Sequence, residues 1–126
     1  HKLVFKLMAI EYKNVQVDVT DTSLTTVYTV PTSTSSIVKS VRVLNVDPAN
    51  SALVSLNVVT SAGTSYALDI DRTIPAKTSD EFMKVTADSF HSNPLILEAS
   101  EVLKIQNSAA GQLNVVASIM QVTNDI

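Results

Sequence analysis

Residues 94 to 122 constrain the fold more than any other stretch. They read PLILEASEVLKIQNSAAGQLNVVASIMQV. Short apolar runs alternate with polar residues, and the small-residue segment Ser108-Ala109-Ala110-Gly111 separates two of them. This is the pattern of antiparallel strands joined by a tight connection, each with one face toward a core. Val15, Val17 and Val19, alternating with Gln16, Asp18 and Thr20, give the cleanest period-2 signal near the other end.

The same reading extends along the chain. Strands are expected over 2–8, 24–30, 37–46, 52–60, 65–70, 95–97, 102–106 and 113–122. Asp21-Thr22-Ser23 and Asp47-Pro48-Ala49-Asn50 punctuate them as turns, the latter with proline at its second position. Ser61-Ala62-Gly63-Thr64 closes a hairpin. The hydroxyl run Thr32 to Ser36 reads as a loop. Residues 71–93 are the least regular, with 80–85 a strand or one helical turn and 88–93 a loop. No stretch sustains a helical period. The expected fold class is all-β, an antiparallel β-sandwich of jelly-roll type with about eight strands in two packed sheets. With 126 residues the chain fits one domain. Residues 1–8 stand apart as an N-terminal arm or an appended or precursor remnant, because Met8-Ala9-Ile10 reads as an ordinary translation start. Residues 9–126 form the single β-sandwich domain.

Composition removes several function classes. There is no cysteine, so no disulfide framework and no thiolate metal site. Gly63 and Gly111 are the two glycines, too few for a phosphate-cradling loop. The formal net charge is -3, and the nine Lys and Arg residues lie scattered between Lys2 and Lys104. A nucleic-acid partner would need a concentrated basic face. No apolar run approaches the roughly 18 residues of a membrane span.

Candidate chemistry is sparse. His91, beside Ser89 and Ser92 with Asp88 nearby, could be imagined as a base next to a nucleophile; a surface-loop histidine is the plainer account. Asp69 and Asp71 at i and i+2 put two carboxylates on one strand face, but a hard cation needs ligands converging from several segments. With Arg72 adjacent, a charged strand end accounts for them better. Asp80-Glu81 reads as a solvated turn. Catalytic, cofactor-binding and metal residues are therefore expected to be none, the chain is expected not to be an enzyme, and no cofactor is expected. Sugar platforms use exposed aromatic faces. There is no tryptophan, and Tyr12, Tyr28 and Tyr66 lie in or beside strands, where packing is the expected role.

Three stretches, in chain order, carry a family resemblance: Met8 to Asn14; Thr26 to Pro31 with Ile37 to Asp47; and Leu95 to Gln106 with Ser108-Ala109-Ala110 and Leu113-Asn114-Val115. Together they cover about half the chain. They resemble small β-sandwich virion structural proteins (decoration, neck or tail) of tailed bacteriophages, of marine or cyanophage-like type. That family commonly has Gly-Asp where this chain has Ser100-Glu101, so a different turn is expected there. The resemblance implies a non-enzymatic structural protein located in the virion. It points first to a capsid decoration (cement) protein stabilising the head by protein–protein contacts. A neck or tail structural protein is the alternative within that class, and a carbohydrate- or receptor-binding adhesin module is the alternative outside it. Implied partners are other virion proteins such as the major capsid protein and further copies in a homo-oligomer, for instance a trimer, with no nucleic acid and no membrane.

The arm suits such a role. Leu3, Val4, Phe5 and Leu7 would each gain about 1.5–3 kcal/mol on full burial, against about 1–2 kcal/mol per residue for ordering the backbone. The sums are similar, so one arm holds weakly and repetition across an assembly multiplies it. These four residues are the expected interface.

Overall fold

The computed structural model describes residues 7–84 and 94–125, and side chains over 9–84 and 94–123. Among the described residues are nine strands: β1 (Leu7–Val19), β2 (Thr25–Thr29), β3 (Thr34–Asn45), β4 (Ala52–Val59), β5 (Ser65–Ile74), β6 (Ser79–Glu81), β7 (Leu95–Leu97), β8 (Val102–Asn107) and β9 (Leu113–Asp125). One sheet runs β1-β9-β3-β6, with β7 also on β3, and the other runs β2-β8-β4-β5. Every described pairing is antiparallel. Each sheet interleaves early and late strands, as happens when a long two-stranded ribbon rolls up on itself. β1 returns on β9, β2 on β8, β3 on β6 and β7, and β4 on β5. That winding is the jelly-roll arrangement expected from the strand pattern. The one surplus strand arises because β6 and β7 share the same margin of β3, at Arg42–Leu44 and Ser36–Val38 respectively.

Alternation explains which residues meet. Ala52, Val54, Leu56 and Val58 of β4, with Leu103 and Ile105 of β8, face Leu113, Val115, Ala117 and Ile119 of β9; all are buried. In β3 the inward set shifts from Ser36 and Val38 to Val41 and Val43, because a bulge between Val38 and Ser40 inserts one residue.

Several sequence expectations need correction. β3 begins at Thr34, inside the hydroxyl run expected to be a loop. Thr34 and Ser36 are buried there. Thr34 Oγ1 lies 3.3 Å from Thr123 Oγ1, and the Ser36 hydroxyl lies 2.7 Å from the Tyr28 hydroxyl, which also accepts from the Gln121 amide. Hydroxyls that find partners on an adjacent strand, as Thr34 does, or across the sandwich, as Ser36 does, are tolerated in a core. The Ser108–Gly111 segment does not close a hairpin. It carries the chain from β8 in one sheet to β9 in the other, pinned by Asn107, whose side-chain oxygen accepts from the Leu53 and Ala109 amides at 3.2 and 3.1 Å. Gly111 (φ +136°) sits where a Cβ would meet Asp47 Oδ2 at 3.1 Å. Ser100 has φ +67°, so it takes the left-handed backbone that glycine would supply at this turn. The Glu101 carboxylate closes the same turn by accepting from the Glu98 amide at 2.7 Å. β5 runs on to Ile74, four residues beyond its expected end.

Candidate interaction surface

The sheet containing β1 turns one face to the core and one outward, and cross-strand register decides what the outer face displays. Tyr12 stands opposite Met120, Met120 opposite Ile37, and Ile37 opposite Ile96. These four side chains form a straight apolar row across β1, β9, β3 and β7. Ile10 opposite Val122 adds a second, shorter row beside it. Tyr12 is 73%, Ile96 64% and Ile10 59% exposed, while Met120, Ile37 and Val122 are half-covered by their neighbours. Lys39, projected by the β3 bulge, holds its ammonium 6.0 Å from the Tyr12 ring centroid, at the outer reach of a cation–π contact. A shallow hollow between them is lined by Tyr12, Lys13, Asn14, Lys39 and Ser118. An outward sheet face of an isolated antiparallel sandwich is ordinarily polar, so this contiguous apolar row is the candidate interaction surface.

Among the described residues, β1 carries this surface on an unpaired margin. It ends its sheet, and residues 9–14 are exposed on both faces. On the side opposite Tyr12, Lys13 Nζ lies 3.7 Å from the Glu11 carboxylate.

The residues singled out from sequence fall elsewhere. Leu3, Val4 and Phe5, and His91 with Asp88, Ser89 and Ser92, lie outside the described residues. Leu7 opens β1 opposite Asp125. Asp69 and Asp71 do not act as a pair. Against β4 the register slips between Val54 and Leu56, so Asp69 stands level with Leu56 and Arg72 level with Val54. Asp71, with φ +49°, turns to the other side; its amide donates to Ser55 Oγ at 3.0 Å and its carboxylate accepts from Ser108 Oγ at 3.3 Å. Asp69 instead takes Arg72 at 3.3 Å.

Arg72 is the hub of a polar cluster that joins the two sheets at the margin away from β1. It pairs with Asp80 at 3.1 Å and lies over the Phe82 ring, 4.3 Å from its centroid. Lys84 reaches the same Asp80 at 2.9 Å. Burial acts to raise the Asp80 carboxyl, but the Lys84 hydrogen bond and charge and the Arg72 charge outweigh it, holding the group below the usual carboxylate range. Glu81 accepts from the Val41 and Met83 amides at 2.7 and 3.1 Å and from the Ser40 hydroxyl. Asp80-Glu81 is therefore a half-buried structural pair and not the solvated turn expected. Among the described residues no three His, Asp or Glu side chains converge as a metal site. Of the tyrosines, Tyr28 packs inside as expected, whereas Tyr12 and Tyr66 are exposed.

No family model and no curated protein matches the chain. Solved structures do. A protein of Bacillus endospore appendages, a family of disulfide-linked pili, superposes with a TM-score of 0.56 at 11% identity, covering 97% of this chain and 93% of that one. A chain of the T13 viral particle of the icosahedral virus IBDV superposes with a TM-score of 0.53 at 8% identity, covering 91% of this chain and 31% of that much longer one. At these identities the likeness shows a shared fold.

Proposed function

We propose that this chain is a non-enzymatic structural protein of a virus particle, and within that class a capsid decoration protein. The exposed row Tyr12–Met120–Ile37–Ile96 carries the reading, because it is a flat apolar strip suited to a protein face and lacks the concavity of a small-molecule site. The fold's likeness to chains from a viral particle and from pili supports a building role. The disulfide linkage of those pili is not open to these residues, which include no cysteine. Leu3, Val4, Phe5 and Leu7 extend the apolar contact on this reading, and partners are the major capsid protein and further copies of the chain. The adhesin reading has one observation behind it, the exposure of Tyr12 and Tyr66. They lie on margins of different sheets and make no common platform.

Quantitative mass spectrometry of purified virions tests the proposal. A decoration protein is expected at a copy number comparable with that of the major capsid protein. A copy number that is a small fraction of it would place the chain in the neck or tail, and absence from washed particles would sink the structural role. In the same particles, Ile96→Asp is expected to abolish incorporation while the isolated chain keeps its unfolding midpoint.

A further inference from the structure

Of the four sheet margins, three are interrupted. β2 has five residues and a register shift between Thr26 and Tyr28; β5 slips twice against β4; and the last margin is split between β6 and β7. Among the described residues, β1 alone is long and regular, with thirteen residues in unbroken register with β9. Such a margin offers a row of backbone donors and acceptors to another strand. Glu11 and Lys13 on its inner side guard it, since an arbitrary partner strand would have to desolvate both charges.

One partner satisfies both charges. An antiparallel pair related by a twofold axis perpendicular to the sheet must place one residue opposite its own copy. Centred on Glu11 or on Lys13, the pairing sets like charges face to face. Centred on Tyr12, it sets Glu11 opposite Lys13 of the second copy and Lys13 opposite its Glu11, two complementary pairs from one strand. Ile10 then faces Asn14, and Ala9 faces Val15. The same axis joins the two apolar rows end to end, Ile96–Ile37–Met120–Tyr12 meeting Tyr12–Met120–Ile37–Ile96, on the outer face of one continuous sheet.

We infer that β1 is a self-recognition edge, and that two copies of this chain pair antiparallel through it with the twofold axis at Tyr12. The occupant is a second copy because the charge pattern around Tyr12 is complementary to itself. The inference goes beyond the virion assignment and does not depend on it: a chain that is incorporated into particles as a monomer would refute the pairing and leave that role standing.

The cysteine-free sequence makes a clean test. Directly opposed residues have Cα atoms about 4.5–5.5 Å apart, within the span of a disulfide. Two copies of Asn14 in this register lie about 13 Å apart along the strands. Tyr12→Cys is therefore expected to form a disulfide-linked dimer under mild oxidation at least about tenfold faster than Asn14→Cys. In the Tyr12→Cys background, Glu11→Lys opposes two like-charged pairs and is expected to slow cross-linking by about tenfold. Adding Lys13→Glu to it restores the rate. Thermal midpoints of all variants check that the fold is kept. Equal rates for Tyr12→Cys and Asn14→Cys, a reversal of charge without effect, a double swap without rescue, or a trimer by sedimentation equilibrium would each overturn the inference.

Discussion

At one side of the sandwich β1 follows β9 for thirteen residues without a slip; at the other, β5 follows β4 for ten and slips twice. Both strands end a sheet and both display apolar side chains, Ile10 and Tyr12 on β1, Tyr66, Leu68 and Ile70 on β5. What separates them is the backbone. The left-handed residue at Asp71 kinks β5, and Arg72 ties it through Asp80 and Phe82 to the opposite sheet. A kinked, tethered strand is a poor template for addition, whereas a straight, charge-marked one accepts a matching partner. Exposed apolar residues alone do not identify a docking edge; the regularity of the strand beneath them does.

The largest effect expected from breaking this contrast is at Arg72. Arg72→Ala removes two ion pairs and the contact with Phe82, all partly shielded from water, and is expected to lower stability by about 2 kcal/mol, read from denaturant midpoints. It also loosens β5, so hydrogen exchange of β5 amides is expected to rise while that of β1 stays unchanged.

A smaller effect is expected from acid. The folded-state pKa of Asp80 lies below its unfolded value, so the carboxylate's stabilising contribution is complete above about pH 4 and is lost as pH falls through the folded pKa. Unfolding midpoints measured down through that acid range are expected to fall less steeply in Asp80→Asn than in the parent chain. An identical slope would mean that the Arg72–Asp80–Lys84 cluster contributes little to holding the β5 margin.

The smallest effect on folding is expected at Tyr12. Its side chain is mostly in water, so Tyr12→Ser is expected to change stability by no more than about 0.5 kcal/mol. The same substitution is expected to reduce self-association, seen by sedimentation velocity. A large loss of stability would show that β1 is bound into the sandwich as firmly as the strands beneath it.

Local chemistry was readable from the chain. The β4–β5 hairpin follows from Gly63, whose φ of +91° suits glycine, and from a loop that closes through the Thr60 amide on the Thr64 carbonyl at 2.8 Å. The alternation of β4, β8 and β9 also follows from sequence. The start of β3 was hidden because Thr34 and Ser36 look like loop residues until Tyr28, Gln121 and Thr123 supply their partners from other strands. Asp80 and Glu81 look like a solvated turn for the same reason: Arg72 and the Val41 amide that hold them come from other strands, β5 and β3; Lys84, four residues after Asp80, adds a local contact. The apolar row was beyond reach, since Tyr12, Ile37, Ile96 and Met120 become neighbours only through long-range register. Sequence shows the alternation at Val15, Val17 and Val19; that β1 runs unbroken from Leu7 through Tyr12 and ends its sheet comes from its register with β9.

The pairing of β1 with β9 also sets an order of events during synthesis. β1 leaves the ribosome roughly a hundred residues before the strand that holds it, since Leu7 waits for Asp125 and Val19 for Leu113. Contacts so distant along the chain make folding slow. The recognition edge therefore takes shape only when the sandwich closes, and nascent copies lingering side by side on a polysome have no finished edge through which to join prematurely.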